Sequence, residues 1–276
     1  MSHKKYRQET NCLNCGAEVT GKFCSNCGQE NIEVREKFGH LVFHTIADFF
    51  HFDSKFFRTL IPLITRPGFL TQEHLSGKRM HYLHPLRLFF FVTIVMVIIA
   101  NAYYHKYEKE IKAEKVRTTT TSNSVSISDE EKIVQERQAK KIINGVEKTF
   151  DYAAAYLKYI SFLLLPFYAL GFRLLYFRHK KFYIDHLVYT LHLQSFVYIV
   201  VSLVLLIPLY ITPSAREWFM NIILLSIVVY VLVSLRYLYK QSWIKTVLKT
   251  ILAFFYIFFG TVLFLGAVMA INIFSQ

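Results

Sequence analysis

From Leu86 onward the chain carries several apolar runs of about twenty residues or more, and no other feature restricts its fold as sharply. A helix of roughly 20 apolar residues crosses a hydrocarbon core of about 30 Å, and a globular core has no use for several such runs in succession. The expected spans are Leu86–Tyr104, Ala154–Phe177, Leu187–Ile211, Trp218–Tyr239 and Ile244–Phe274, about five in all. A hydrophobic content of 54% with mean hydropathy +0.32 excludes a single soluble domain of 276 residues. The excess of 32 Lys and Arg over 19 Asp and Glu could mean nucleic acid in a soluble protein. Here it sits beside the apolar runs, where it orients the chain and meets anionic lipid head groups.

The amino-terminal segment has a different chemistry. Cys12-Leu13-Asn14-Cys15-Gly16 and Cys24-Ser25-Asn26-Cys27-Gly28 are two copies of one pattern, Cys-x-Asn-Cys-Gly, and they hold all four cysteines of the chain. Each Cys-x-x-Cys turn offers two thiolates, and two turns complete the tetrahedron that zinc prefers. The glycine after each second cysteine lets backbone N–H groups approach sulfur. Between the knuckles, Ala17 to Phe23 suits a minimal hairpin turning at Gly21, with Phe23 as the packing residue. Structural zinc on Cys12, Cys15, Cys24 and Cys27 is favoured over a disulfide pair or a redox dithiol, since redox motifs carry one such turn before a helix in a larger fold. Four protein ligands leave no open coordination position. The segment from Asn11 to Gln29 resembles short bacterial zinc ribbons.

Between Gly39 and Thr65, polar residues His40, His44, Asp48, His51, Lys55 and Arg58 recur at steps of four and three, one helical stripe on an otherwise Phe-rich surface. This predicts an amphipathic helix lying in the interface or docked on the bundle, ended or kinked at Pro62. His44, Asp48 and His51 could share a metal; a solvated stripe is the favoured reading, because one stripe supplies too few converging ligands. Pro67-Gly68 signals a turn, and Gly77 ends a short helix begun near Thr71. Lys78, Arg79 and Arg87 flank the first span beside His81, Tyr82 and His84, which suits phosphate or lipid head-group contact as well as an ordinary topogenic flank.

Phe57-Arg58-Thr59-Leu60, Pro67-Gly68, Gly77-Lys78-Arg79 and Pro85-Leu86-Arg87-Leu88 together resemble the signature of a bacterial family of multi-span membrane proteins with an amino-terminal zinc ribbon, classed as a domain of unknown function. His74 stands where that pattern has tyrosine. The resemblance implies an architecture and no catalytic residue.

The expected fold is thus an all-α polytopic membrane bundle of about five spans, preceded by a small zinc ribbon and an interfacial amphipathic helix. Its divisions are a ribbon over 1–30, a cytosolic amphipathic and juxtamembrane region over 31–85, a first span over 86–105, an external loop over 106–151 and four further spans over 152–276. The start MSHKKYRQETNCLNCG is basic with no apolar stretch behind it, so the first span is expected to act as the insertion signal. Basic residues Arg173, Arg178, Lys180 and Lys181, and then Arg236, Lys240, Lys245 and Lys249, mark cytosolic connections. The amino terminus is then cytosolic, the carboxyl terminus external, and the membrane the cytoplasmic one. A cytosolic ribbon also keeps its thiols reduced.

Three functional readings follow. A non-enzymatic scaffold or regulator, with a cytosolic protein partner on the ribbon, fits a closed metal site. A transporter or flippase would use the intramembrane polar cluster His192, Gln194 and Ser195, with Asn101 and Asn221 as lesser candidates. From Ala154 onward, however, the only acidic residues are Asp185 and Glu217, both near span ends, which counts against cation coupling. A histidine-metal membrane enzyme lacks the paired-histidine motifs it needs. Nucleic-acid binding is disfavoured because the ribbon carries only Lys22 between its cysteines.

Overall fold

The computed structural model describes residues 6–32, 55–121, 162–206 and 213–274. Beyond the cysteine module it is all-helical, and no strand forms among the described residues. The helices are α1 (Lys55–Thr65), α2 (Phe69–Leu75), α3 (Pro85–Thr121), α4 (Phe162–Leu175), α5 (Tyr183–Leu206), α6 (Pro213–Tyr239) and α7 (Trp243–Phe274). Four of them, in α3, α5, α6 and α7, are long and apolar enough to cross a membrane, and α4 is a shorter apolar helix. This is a membrane protein. The expected second span began at Ala154, and its residues before Phe162 lie outside the described ones, as do His40, His44, Asp48, His51 and residues 122–161.

Two compact units divide the chain: Met1–Met96 with Leu165–Ile257, and Val97–Leu164 with Phe258–Gln276. The described part of the second unit consists of helix ends, with Phe258, Phe259, Val262 and Leu263 exposed on α7. Every contact described below belongs to the first unit.

At the centre of that unit stands α5. Of its membrane-crossing window 56% is buried, against 17–28% in the other three, and His186 to Leu193 are buried without a break. Helices α1 and α2 form a hairpin; α1 packs on α5, and α2 packs on both α5 and α6. The turn between them depends on Gly68, whose φ of +81° favours glycine. A Cβ there would stand 3.0 Å from the Ser234 carbonyl oxygen and 3.3 Å from the Tyr237 ring. Helix α2 starts two residues before Thr71 and ends in a Schellman motif: Lys78 N–H donates to Glu73 O (3.0 Å), Gly77 N–H donates to His74 O (3.1 Å), and Gly77 takes φ +89°.

Pro62 does not end α1. The helix runs on to Thr65, and Arg66 N–H donates to Pro62 O at 3.0 Å. The proline removes only the N–H that would meet the Arg58 carbonyl, a loss the flanking turns tolerate.

Polarity in this unit is arranged for a bilayer. Its interior holds polar pairs: Tyr189 OH with Ser234 Oγ (2.8 Å), Tyr239 OH with His186 Nδ1 (2.7 Å), and Tyr230 OH donating to Leu63 O (2.9 Å). Buried Thr59 accepts from Leu83 N–H (2.9 Å) and donates to Lys55 O (2.8 Å). The outward faces carry Phe57, Ile61, Leu225, Leu252 and Phe255. In water such an apolar exterior would drive aggregation. In lipid it has no cost, and association comes to rest on packing and interhelical hydrogen bonds.

Candidate metal centre

The duplicated sequence folds into a duplicated backbone. Cys12 N–H donates to Ala17 O (2.8 Å) and Gly16 N–H to Cys12 O (2.9 Å); Cys24 N–H donates to Gln29 O (2.9 Å) and Gly28 N–H to Cys24 O (2.8 Å). Gly16 and Gly28 take φ of +77° and +73°. At Gly16 a Cβ would meet nothing within 4 Å, so glycine is required there by conformation and not by space. The same turns aim the N–H of Ala17 at the Cys15 sulfur and that of Gln29 at the Cys27 sulfur. The Ala17 bond chiefly draws the Cys15 thiol down to about 6. Burial chiefly pushes the Cys27 thiol up to about 11.

Antiparallel bridges Asn11–Glu18 and Phe23–Glu30 close the two knuckles, and Tyr6–Ile32 joins the ends of the module. The hairpin expected between the knuckles is thus replaced by pairing across each one. Phe23 is 60% exposed and does not pack. Its expected place is taken by Val19, 5% exposed, in a small core with Cys12 and Cys24. The small core between the knuckles is thus filled by a β-branched aliphatic and two sulfurs.

All four Sγ atoms lie within 4.8 Å of one another. Cys12 and Cys27 are 3.5 Å apart, and Cys15 and Cys24 are 3.7 Å apart. An ion held tetrahedrally at about 2.3 Å from each sulfur sets them about 3.8 Å apart. The donor set and spacing therefore suit a metal ion. Among the described residues it is the only group of three or more His, Cys, Asp or Glu side chains so arranged.

Each knuckle then reaches the stretch that precedes α3. Gln29 lies two residues after the last ligand, and its amide acts as a peptide group: Nε2 donates to Gly77 O at 2.8 Å and Oε1 accepts from Arg79 N–H at 3.3 Å. Asn14, 8% exposed inside the first knuckle, places Nδ2 3.3 Å from His81 Nε2. Neither residue was a candidate from sequence alone, because each partner is 48 to 67 residues away.

The other candidates are redistributed. Lys78 is paired with Glu73 through bonds of 2.9 and 3.1 Å. Lys78 and Arg79 line a chamber of about 30 Å³ with His74, His84 and His192; half-buried Arg87 is not among its walls. The chamber has room for about two waters. Buried His192 meets Thr71 Oγ1 through Nδ1 at 2.9 Å. Ser195 donates to its own helix at Leu191 O (2.8 Å), and Gln194, two residues along α5, faces another side and is only half-buried. The trio is therefore not one site. Asn101 and Asn221 are exposed.

A family model described as a protein of unknown function (DUF3667) matches residues 53–97. That interval holds α1, the Pro67-Gly68 turn, α2, the stretch gripped by Gln29 and the start of α3; the cysteines lie outside it. No curated protein and no solved structure matches the chain.

Proposed function

We propose that this chain is a multi-pass protein of a bacterial cytoplasmic membrane in which Cys12, Cys15, Cys24 and Cys27 hold one structural zinc ion, and that the zinc ribbon is a non-enzymatic scaffold or regulatory module fastened to the membrane domain. The observation that carries this reading is the pair of hydrogen bonds from the Gln29 amide to Gly77 and Arg79, which couples the metal module to the matched 53–97 region. Four cysteine ligands close the coordination sphere, which suits structure and not catalysis. Exposed Phe23 and Tyr6 offer a cytosolic protein partner an aromatic face. The basic connections after α4 and between α6 and α7 support a cytosolic amino terminus and an external carboxyl terminus. The alternative, a transporter or flippase, would run through His192; the fixed bond to Thr71 and the water-sized chamber favour an interhelical contact there.

Trypsin cleaves after Lys78 and Arg79, so proteolysis reads the clamp directly. In detergent-solubilised protein, zinc chelation and Gln29→Ala should each accelerate cleavage at these two bonds severalfold, by loss of bonds worth about 1 kcal/mol each; sites in the helical bundle should be unchanged by either, and sites in the cysteine module itself by Gln29→Ala. Equal cleavage with and without zinc would remove the clamp.

A further inference from the structure

Where α6 gives way to α7, the first unit contains a cleft of about 490 Å³ lined by Gln72, Arg236, Tyr237, Lys240 and Gln241. Among the described residues its lining is one-sided: two cations, two amides, a phenol and no carboxylate. Arg236 is held by two contacts that leave its charge in place. Its Nη1 donates to Gln241 O at 3.1 Å, and its guanidinium carbon lies 4.2 Å from the Trp243 ring centre. Neither Arg236 nor Lys240 forms a salt bridge among the described residues.

Two further observations favour a ligand in the cleft. Lys240 is the one non-glycine residue with positive φ among the described residues, at +49°. A glycine would close α6 there at lower cost, so the lysine brings its ammonium group to the cleft wall at some expense in backbone strain. Gln241 bonds His179 Nε2 through Nε2 at 2.7 Å, and its Oε1 is buried without a partner. Either orientation of that amide leaves one polar atom to be satisfied.

The surroundings identify the ligand class. Trp243 and Tyr237 are half exposed, as aromatic residues at a head-group boundary are. Beside them run the outward apolar residues Val229 and Val233 of α6 and Ile244, Leu248 and Ile251 of α7. A cationic cleft that adjoins a lipid-facing wall matches a molecule with an anionic head and apolar tails. We propose that this cleft binds the phosphate group of an anionic phospholipid, with Arg236 and Lys240 supplying the charge and Gln72 and Gln241 the neutral polar contacts. The site is independent of the zinc ribbon.

The chain has two tryptophans, so Trp218→Phe leaves Trp243 as a single reporter beside Arg236. The full chain in neutral detergent micelles is titrated with phosphatidylglycerol, phosphatidylcholine and inorganic phosphate while Trp243 emission is followed. The expected result is a saturable response to phosphatidylglycerol and none to phosphatidylcholine. Lys240→Gly should weaken it about fivefold, the effect of one cation near an anionic head group, and Arg236→Gln more than Arg236→Lys. Because glycine suits φ +49°, Lys240→Gly should keep or raise the thermal midpoint, which separates lost binding from lost fold. Saturation by inorganic phosphate alone would retain the phosphate site and overturn the lipid as its source. No saturable response to either anion, or one that Lys240→Gly and Arg236→Gln leave unchanged, would overturn the site.

Discussion

The cysteine module and the helical bundle solve the same problem by opposite means. The module buries little more than Cys12, Val19 and Cys24, too small a core to offset the entropy of ordering its chain. Its four sulfurs stand close enough to share one ion, and on the function proposed above that ion supplies the missing stability. The bundle instead turns its apolar surface outward and closes its interior with polar pairs such as Tyr189–Ser234 and Thr71–His192. One region depends on a ligand and the other on its solvent. A given perturbation should therefore damage one and spare the other.

The largest separation is expected from the metal. Cys24→Ser with Cys27→Ser, or a strong zinc chelator, should unfold the module by removing metal-binding free energy on the order of 10 kcal/mol. The bundle's far-UV helical signal should stay. Elemental analysis should give one zinc per chain before and none after; a metal that survives the cysteine changes would point to ligands among the histidines instead.

Next comes Gly68→Ala, which combines positive φ with a Cβ 3.0 Å from the Ser234 carbonyl. We expect roughly 2–4 kcal/mol of lost bundle stability in detergent unfolding, with zinc stoichiometry unchanged. A neutral substitution would mean that the α1–α2 hairpin is not seated against α6.

Thr71→Val is smaller: it deprives His192 of its partner at similar volume and should cost about 1–2 kcal/mol. If Thr71→Val and His192→Leu prove additive in a double-mutant cycle, the bond contributes nothing.

The gentlest probe is pH. Burial, then Arg79 and then neighbouring His84 and His192 hold the His74 imidazole well below the usual 6.5; the Glu73–Lys78 pair lies on the same segment. The unfolded chain thus takes up this proton first. The neutral imidazole's contribution is present in full above about pH 7 and declines as pH falls below about 6.5. His74→Gln should flatten that decline, and an unchanged acid profile would place its origin elsewhere.

What could be read from the chain follows the range of the interaction. Membrane spans, the Cys-x-Asn-Cys-Gly knuckles and the glycine stop at Gly77 are local, set by hydropathy or by φ within a few residues. Aromatic size favours burial of Phe23 in general, yet the residue that enters this core is Val19, because the bridges Asn11–Glu18 and Phe23–Glu30 and not side-chain size set which positions turn inward. The stretch from Lys55 to Leu75 is amphipathic, and its pattern signals a surface to be covered. That the surface is α5 and α6 depends on Thr71 finding His192 and Leu63 finding Tyr230, and no local rule pairs them. A polar residue placed in an apolar run does signal that some partner exists. It does not say which.

The bond from Tyr230 to the Leu63 carbonyl joins residues 167 positions apart, and that separation sets an order of assembly. A chain made from its amino terminus exposes α1 and α2 long before α6 exists. Until then the end of α1 lacks the hydroxyl that satisfies it, and Gly68 has no helix to lie against. The hairpin has α5 to pack on before α6 is made, and its seating is complete only when α6 supplies the Tyr230 hydroxyl and the surface against Gly68.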